Sequence, residues 1–572
     1  MGYPSCAMLG SPPHATQSPS RLRRLRSTHL VAGLLLLLLL LLLRGPSLAD
    51  PLGIDEGGMT TIGVEWVEDV FTGESGSSLY GDHWIDRPPL ILALYGLADL
   101  AGGEFGVRLL GLAAALVSAL LAGVIAERIA GRRAWIPAAF VTGCLLSSPV
   151  LDGDRTPGEL LASVPATAAI ALLVGVAVHD ASTRPPLTQR RRVALLVGAG
   201  IAIACAPLVK QSALDAGVAA AAWLAWRAWS ARRDAAGRHL VLRDAGALAA
   251  GFVGTASAAV LLALRAGASI DSLAYALIGF RVDVLGALQS QTETPLDRVG
   301  RLLDPAAVSG LLFLLLLAPV GILIARRGAA GSAGLVLLGG WLLGAVIGIS
   351  GGGYFWAHYL LQLAVPVGVA LGVLLARRSL RPTVAVVGVL AIVALSGQLI
   401  RADDTPSARL VDAGYRPQSQ QSVLVIADFL RRNSSPDEQV MVMYARANIA
   451  YHAERTPATP YAWSSMYRAL PEARDELLRA LSGPERAAWL VEWHRPTAFR
   501  MDRDGRVRAA IKVGYRKVGV LCGTPVLVRN DRATPSVVLP VERCNTAGPE
   551  RVYGKQPVIR GFERPGDRRM RT

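Results

Sequence analysis

A mainly α polytopic bundle of about eleven membrane-spanning helices, followed by a C-terminal extracytoplasmic α/β domain, is the fold class this sequence predicts. Three observations predict it. Hydrophobic residues make up 52% of the 572, at a mean hydropathy of +0.39. They are gathered into runs near the roughly 20 residues a helix needs to cross hydrocarbon, where every backbone polar group must be satisfied within its own segment. The charge, net +16 and mostly arginine, sits between those runs.

The first run, His29 to Leu43, is almost pure leucine, preceded by the basic stretch Arg21 to Arg26 and closed by Pro46 to Ala49. Cleavable signal peptides and uncleaved anchors share that pattern, and the length of the run favours an anchor. Further spans are predicted at 107–127, 134–149, 160–178, 193–209, 212–229, 245–264, 306–325, 332–350, 357–376 and 382–400. Joints carrying Arg128, Arg132 and Arg133, Arg190 to Arg192, Arg227 to Arg243, Arg326 and Arg327, and Arg377 to Arg381 alternate with acidic or mixed joints. By the positive-inside rule the tail 1–27 is cytoplasmic and everything after Arg401 lies outside a cell membrane crossed many times. Arginines that orient spans account for much of the net charge, which argues against nucleic acid as a partner.

That topology puts the chemistry-bearing residues on one face, in external loops at 50–106, 149–160 and 265–305. The first loop opens with Asp55 and Glu56 just behind the first span, beside glycines that let a backbone approach closely. An outer carboxylate suits a general base or a cation ligand, and equally a solvated loop acid. Asp86 and Arg87 then precede Pro88 and Pro89, which can begin a helix because their missing N–H groups cost little in its first turn. The apolar stretch that follows is too short to span, so it should lie along the interface until the chain enters the membrane near Val107.

The second loop brings Asp152, Asp154 and Glu159, the last in the first turn of its helix, where an acid also complements the helix dipole. Lys210, with no other lysine before Lys512, stands at an outer helix boundary. A point charge there suits a phosphate, or snorkels to the interface. Before the tenth span, Gly351 to Gly353, the aromatics Tyr354 to Trp356 and His358-Tyr359 form either an interfacial belt or part of a polar site.

The order of these features resembles the GT-C glycosyltransferases that use lipid-phosphate-linked sugars, and within them the branch of protein O-mannosyltransferases and lipid A aminoarabinose transferases. The resemblance runs over roughly 30–400: the Asp55-Glu56 pair, D-R-P-P-L from Asp86, E-F-G-V-R-L from Glu104, G-E-L-L from Gly158, L-V-K-Q from Leu208 and G-G-x-x-x-x-H-Y from Gly352. It implies a polyprenyl-phosphate-linked sugar as donor and an extracytoplasmic protein, lipid or cell-wall glycan as acceptor. Asp55 would then be the general base, supported by Glu56, with Arg87 and Lys210 at the donor phosphate. Asp86, Asp154, Glu159 and His358 would support the site or hold a divalent cation such as Mg or Mn. Two departures stand out: arginine replaces the relatives' lysine at 87, and Gln211 follows Lys210 where many relatives have Gly-Pro. A transporter or flippase of lipid-linked glycan, or a non-catalytic envelope assembly protein, is the competing class. Nearly charge-free spans disfavour it.

Residues 401–545 read as the soluble domain: SVLVIADFLRRN as an amphipathic helix, QVMVMYA as a buried strand, and IAYHAERTPATPYAW as an aromatic loop. Cys522 and Cys544 fall in it, and an oxidising compartment permits a disulfide between them. The basic, Pro/Gly-rich stretch 546–572 predicts disorder.

Overall fold

The computed structural model describes residues 19–72, 79–81, 84–182, 185, 187–289, 295–351, 355–376, 379–402, 420–444, 446–532, 537–538, 540 and 559–560. The chain is a helical bundle with a small mixed sheet at its C-terminal end. Helix α1 (Pro19–Arg44) carries the leucine run. Leu36, Leu40 and Leu43 lie on one helical stripe and are buried, while Leu34, Leu35, Leu38 and Leu42 are exposed, so one face packs on the bundle and the other faces lipid.

Helix α2 (Ile54–Thr72) follows, then α3 (Pro89–Ala130). Non-helical backbone at Gly102 and Gly103 (φ 59°) breaks α3 into a segment beginning at the proline pair and a spanning segment. The bundle continues through α4 (Trp135–Leu146), α5 (Gly158–Asp180), α6 (Gln189–Val209), α7 (Asp215–Ser230) and α8 (Ala235–Arg265). The third external loop holds α9 (Ile270–Ala274), one π-helical stretch Tyr275–Gly279, α10 (Phe280–Gln289) and α11 (Pro295–Val308). The membrane part closes with α12 (Leu311–Ala325), α13 (Gly331–Ser350), α14 (Leu361–Leu375) and α15 (Leu380–Ala402). Helix α14 is innermost: every residue from Leu361 to Val373 is buried.

Among the described residues eight helices are long and apolar enough to cross a membrane, and nine if α11 and α12, bent by 81°, count as one span. The two other predicted spans are α4, of 12 residues, and α7, of 16. Both are apolar, but α4 stops early, before Ser147-Ser148-Pro149, and α7 begins late, at Asp215.

The C-terminal domain begins with the amphipathic helix Gln420–Asn433. Its sheet has the order β1-β2-β4-β3-β5, with β1 (Val440–Val442), β2 (Trp489–Val491), β3 (Tyr515–Leu521), β4 (Thr524–Arg529) and β5 (Ile559–Arg560). Strands β1 and β2 are parallel and the other pairs antiparallel. The segment expected as an aromatic loop instead opens with a helix, Ala447–Ala453, and Ile559–Arg560 of the basic tail pair with β3. Neither is visible in local composition, because each forms against a partner distant in sequence. Cys522 is disulfide-bonded, and Cys544 lies outside the described residues.

One hydrophobic core runs from the bundle into this domain, from Leu36 and Leu40 to Met441, Tyr467 and Leu477. The domain therefore sits firmly on the face where α1 ends. Two glycines set how closely the elements beneath it cross. A Cβ at Gly96 of α3 would lie 2.2 Å from the Gly63 carbonyl of α2, and a Cβ at Gly63 would lie 2.3 Å from the Leu92 carbonyl. Only backbone to backbone can α2 and α3 meet here. Gly96→Ala should therefore force the helices apart and cost about 1–3 kcal/mol, read as a lowered unfolding midpoint of the detergent-solubilised protein; an unchanged midpoint would show that the crossing is slack.

Candidate active site at the membrane surface

Where the first three external loops meet the C-terminal domain they enclose a cavity of about 500 Å³. Asp55 stands in the first turn of α2 and Met59 one turn further on; Asp86 and Arg87 end the loop before α3; Glu159 begins α5; Lys210 caps α6; His358 and Tyr359 precede α14. The structure thus brings Asp55, Glu56, Asp86, Arg87, Glu159, Lys210 and His358 to one chamber. Asp154 is the exception. It is buried but does not line the cavity; its carbonyl accepts from the Ser47 hydroxyl at 3.0 Å, and its charge faces Arg44 and Arg155.

The carboxylates divide by what they touch. Glu56 is buried and accepts from Arg108 (2.5 Å), from the Gly53 N–H (2.8 Å) and from the Thr156 N–H (2.8 Å). Asp86 pairs with Arg87 at 2.6 Å and with Arg281 at 2.9 Å. Glu159 pairs with Lys210 at 2.9 Å, and Asp152 with His358 at 3.3 Å. Among the described residues Asp55 has no hydrogen bond and no ion pair, while Arg87 and Arg446 are close enough to act on it electrostatically. Neighbouring positions on a helix point about 100° apart. Asp55 consequently turns into the chamber while Glu56 turns into the protein.

Burial alone would raise the Asp86 carboxyl, but Arg281, Arg87 and Lys210 outweigh it and hold the group below the usual carboxylate range. Burial, aided by the like charges of Arg87 and Arg281, lowers Lys210 against the opposing pull of Glu159. Burial and the nearby Arg155 charge push Arg446 down to about 10. The site is a low-dielectric concentration of cations that gains from an anion.

Sequence reasoning missed the cations Arg155, Arg281, Arg301, Arg446 and Arg468 and the aromatics Trp463 and Trp493, all of which line the cavity. Trp463 covers the Arg87 guanidinium, 4.7 Å from its ring centre, and Trp493 covers that of Arg446 at the same distance. Gln211, the departure beside Lys210, donates to the Asp86 carbonyl at 2.6 Å and ties the loop after α6 to the loop before α3. Trp84 packs on Phe280 with ring centres 4.8 Å apart, which holds the third external loop, and so Arg281, over Asp86.

The residues expected as cation ligands do not form a set. Asp86, Glu159 and His358 are each engaged by a different partner, Asp154 lies apart, and among the described residues no three His, Cys, Asp or Glu side chains gather around a point.

No family model and no curated relative matches this sequence. Solved structures do. ArnT from Cupriavidus metallidurans bound to undecaprenyl phosphate superposes with a TM-score of 0.61 at 16% identity, covering 90% of this chain and 99% of that one. The same enzyme in the apo state gives 0.55 at 15% identity, over 88% and 98%. The archaeal oligosaccharyltransferase AglB from Archaeoglobus fulgidus, in complex with an inhibitory peptide and a dolichol-phosphate, gives 0.51 at 15% identity, over 90% and 76%. The chain has the GT-C fold. The likeness covers 90% of this chain and so extends beyond the bundle into the C-terminal domain.

Glu56 therefore reads as a structural carboxylate. Glu56→Gln should leave Arg108 buried without its counter-charge and cost about 3–5 kcal/mol, seen as a loss of folded protein; a variant of normal stability would show that Arg108 is otherwise satisfied.

Proposed function

We propose that this multi-pass membrane protein is a glycosyltransferase that moves a sugar from polyprenyl phosphate to a hydroxyl of an extracytoplasmic acceptor, with inversion at the anomeric carbon. The observation that carries the reading is the contrast within the chamber: among the described residues Asp55 is its one carboxylate without a partner, and it faces an excess of guanidinium and ammonium groups. A general base must be free to take a proton, and a leaving phosphate must be met by positive charge. Asp55 supplies the first, Arg87 and Lys210 with Arg281 the second. That the ArnT structure holds undecaprenyl phosphate and the AglB structure a dolichol-phosphate supports a lipid-phosphate donor here.

In the step itself, Asp55 removes the acceptor O–H proton as that oxygen bonds to the anomeric carbon. The bond from that carbon to the phosphate oxygen breaks on the opposite side, and polyprenyl phosphate departs with the electron pair. Arg87, held by Asp86 and covered by Trp463, presents a fixed fork to the departing oxygens, whereas lysine would present a mobile point charge. The N-terminal tail lies in the cytoplasm and the C-terminal domain outside, so that the acceptor approaches from the outer water and the lipid tail stays in the bilayer.

Two outcomes test this. Membranes containing Asp55→Asn, given radiolabelled polyprenyl-phosphate sugars, should transfer label to envelope material about 10²–10⁴-fold more slowly than wild type, with normal amounts of folded protein; equal labelling would remove Asp55 from the chemistry. The second concerns pH. Lys210 is cationic only below its own pKa, and burial lowers that value, so retention of undecaprenyl phosphate should weaken below the pH at which an ordinary lysine discharges. In Lys210→Arg the alkaline fall should move to higher pH, because guanidinium stays charged; superimposable profiles would mean that Lys210 does not meet the phosphate.

A further inference from the structure

A second cavity, of about 220 Å³, lies beside the first, between α2 and the C-terminal domain. Its walls are Gly58, Thr61 and Ile62 of α2, the strand β1, the segment Thr456–Ala462 and the ring of Tyr467. Arg446 lines both cavities and separates them.

Three features make this space more than a packing gap. The first is its alignment with Asp55. Asp55, Gly58 and Ile62 are spaced three and four residues apart, so they share one face of α2, and at 1.5 Å per residue Ile62 lies about 10 Å along the axis from the free carboxylate. The second is rigidity. Val440 N–H donates to the Thr456 carbonyl (3.0 Å), Ala458 N–H to the Val440 carbonyl (2.9 Å) and Trp84 N–H to the Pro460 carbonyl (3.1 Å), so the outer wall is pinned to the sheet on one side and to the first external loop on the other. The third is chemistry. Ile62, Met441, Ala450, Ala458 and Ala462 contribute apolar lining, and among the described residues Arg446, which also lines the first cavity, is the only charged one that lines it. The volume exceeds the roughly 150 Å³ of an apolar cavity that binds benzene.

We infer that this second cavity is an acceptor subsite for a compact apolar group, a single aromatic ring or a short branched aliphatic chain, carried next to the hydroxyl that is glycosylated. The inference rests on the reading of Asp55 as the base. The apolar group enters between α2 and Thr456–Ala462, its connecting chain passes Arg446, and the hydroxyl arrives at Asp55 about two turns of α2 away. Acceptors would thus be selected by what they place in a dry pocket as well as by the hydroxyl itself. Gly58 is needed at the floor: a Cβ there would lie 3.0 Å from the Ala447 Cβ and 3.6 Å from the Ala462 Cβ.

The test uses the full-length protein in membranes, a radiolabelled polyprenyl-phosphate sugar, and two simple alcohols as probe acceptors, 2-phenylethanol and ethanol. Wild type should use 2-phenylethanol at least about tenfold more efficiently in kcat/KM, the scale on which an apolar pocket discriminates. Ala458→Phe, which fills the cavity from its loop wall, should bring that ratio to near one. Retention of undecaprenyl phosphate, equal to that of wild type, checks that the variant is folded. Equal use of both alcohols by wild type, or an undiminished ratio in Ala458→Phe, would overturn the subsite while leaving the transferase reading intact. Absence of transfer by wild type to either alcohol and to envelope material would overturn both.

Discussion

A carboxylate buried where a membrane bundle meets a soluble domain must be matched by its surroundings, and the rest of the structure depends on how Glu56 is matched. Its two oxygens take the Arg108 guanidinium, the Gly53 N–H and the Thr156 N–H. Arg108 in turn donates to the carbonyls of Asp50 and Pro51. Four stretches of chain are thereby fixed to one charge pair: the end of the α1 connection, the first turn of α2, the entry of the spanning segment of α3 and the loop 149–160. Burying both ions costs several kcal/mol each, and only a fully hydrogen-bonded arrangement offsets that cost. Since α2 cannot rotate without breaking the pair, the direction in which Asp55 points is set by its neighbour. Asp55 stays free because Glu56 is not.

The same logic orders the cations. Arg87 is held from three sides, by the Asp86 carboxylate, by the Trp463 ring and through the Tyr80 hydroxyl that donates to its own carbonyl at 2.6 Å. Lys210 has one carboxylate partner and a ring, Tyr359, 5.3 Å away. On the proposed reading an arriving phosphate would meet one preorganised fork and one point charge. If Lys210 turns to the phosphate, Glu159 loses its only ion-pair partner in a buried site. On the proposed reading the donor would then compete with a carboxylate for the lysine, which would weaken ground-state binding and leave more of the electrostatic gain for the moment when phosphate charge increases on bond breaking.

How much of this was legible beforehand follows from what hydropathy can locate. Polar residues at the ends of apolar runs stand out, and Asp55, Asp86, Arg87, Glu159, Lys210 and His358 all meet in the chamber as their positions on one face imply. Glu56 stood out as well, but its role turned on helix phase, and two adjacent acids look alike until the packing of α2 is known. The close approach expected at the glycines beside Asp55 is seen at Gly57, where a Cβ would lie 2.8 Å from the Asn448 Cβ, so the helix Ala447–Ala453 comes near there. Arg281, Arg301 and Arg446 carried no local signal. In a chain with 59 lysines and arginines, only the contacts of folded loops distinguish a site cation from one that orients a span. Hydropathy also marks α4 and α7, which are apolar but, at 12 and 16 residues, shorter than the other spans.

The C-terminal domain is the element whose part in the chemistry the sequence least suggested. It is not tethered to the bundle but shares its core, and its helix Ala447–Ala453 is bonded to both segments around the start of the bundle: Tyr451 to Asp99 at 2.7 Å, His452 to Glu104 at 3.0 Å and to the Leu52 carbonyl at 3.2 Å. Asp99 and Glu104 flank the break in α3 at Gly102 and Gly103. The same short helix therefore grips the bend that turns α3 from the surface into the membrane and, just before its first residue, supplies Arg446 to the chamber. A domain attached this way cannot lift off without exposing apolar core and releasing the bend. It roofs the chamber, so on the proposed reading acceptors would reach Asp55 through the openings the roof leaves, and the shape of those openings is where selectivity would arise.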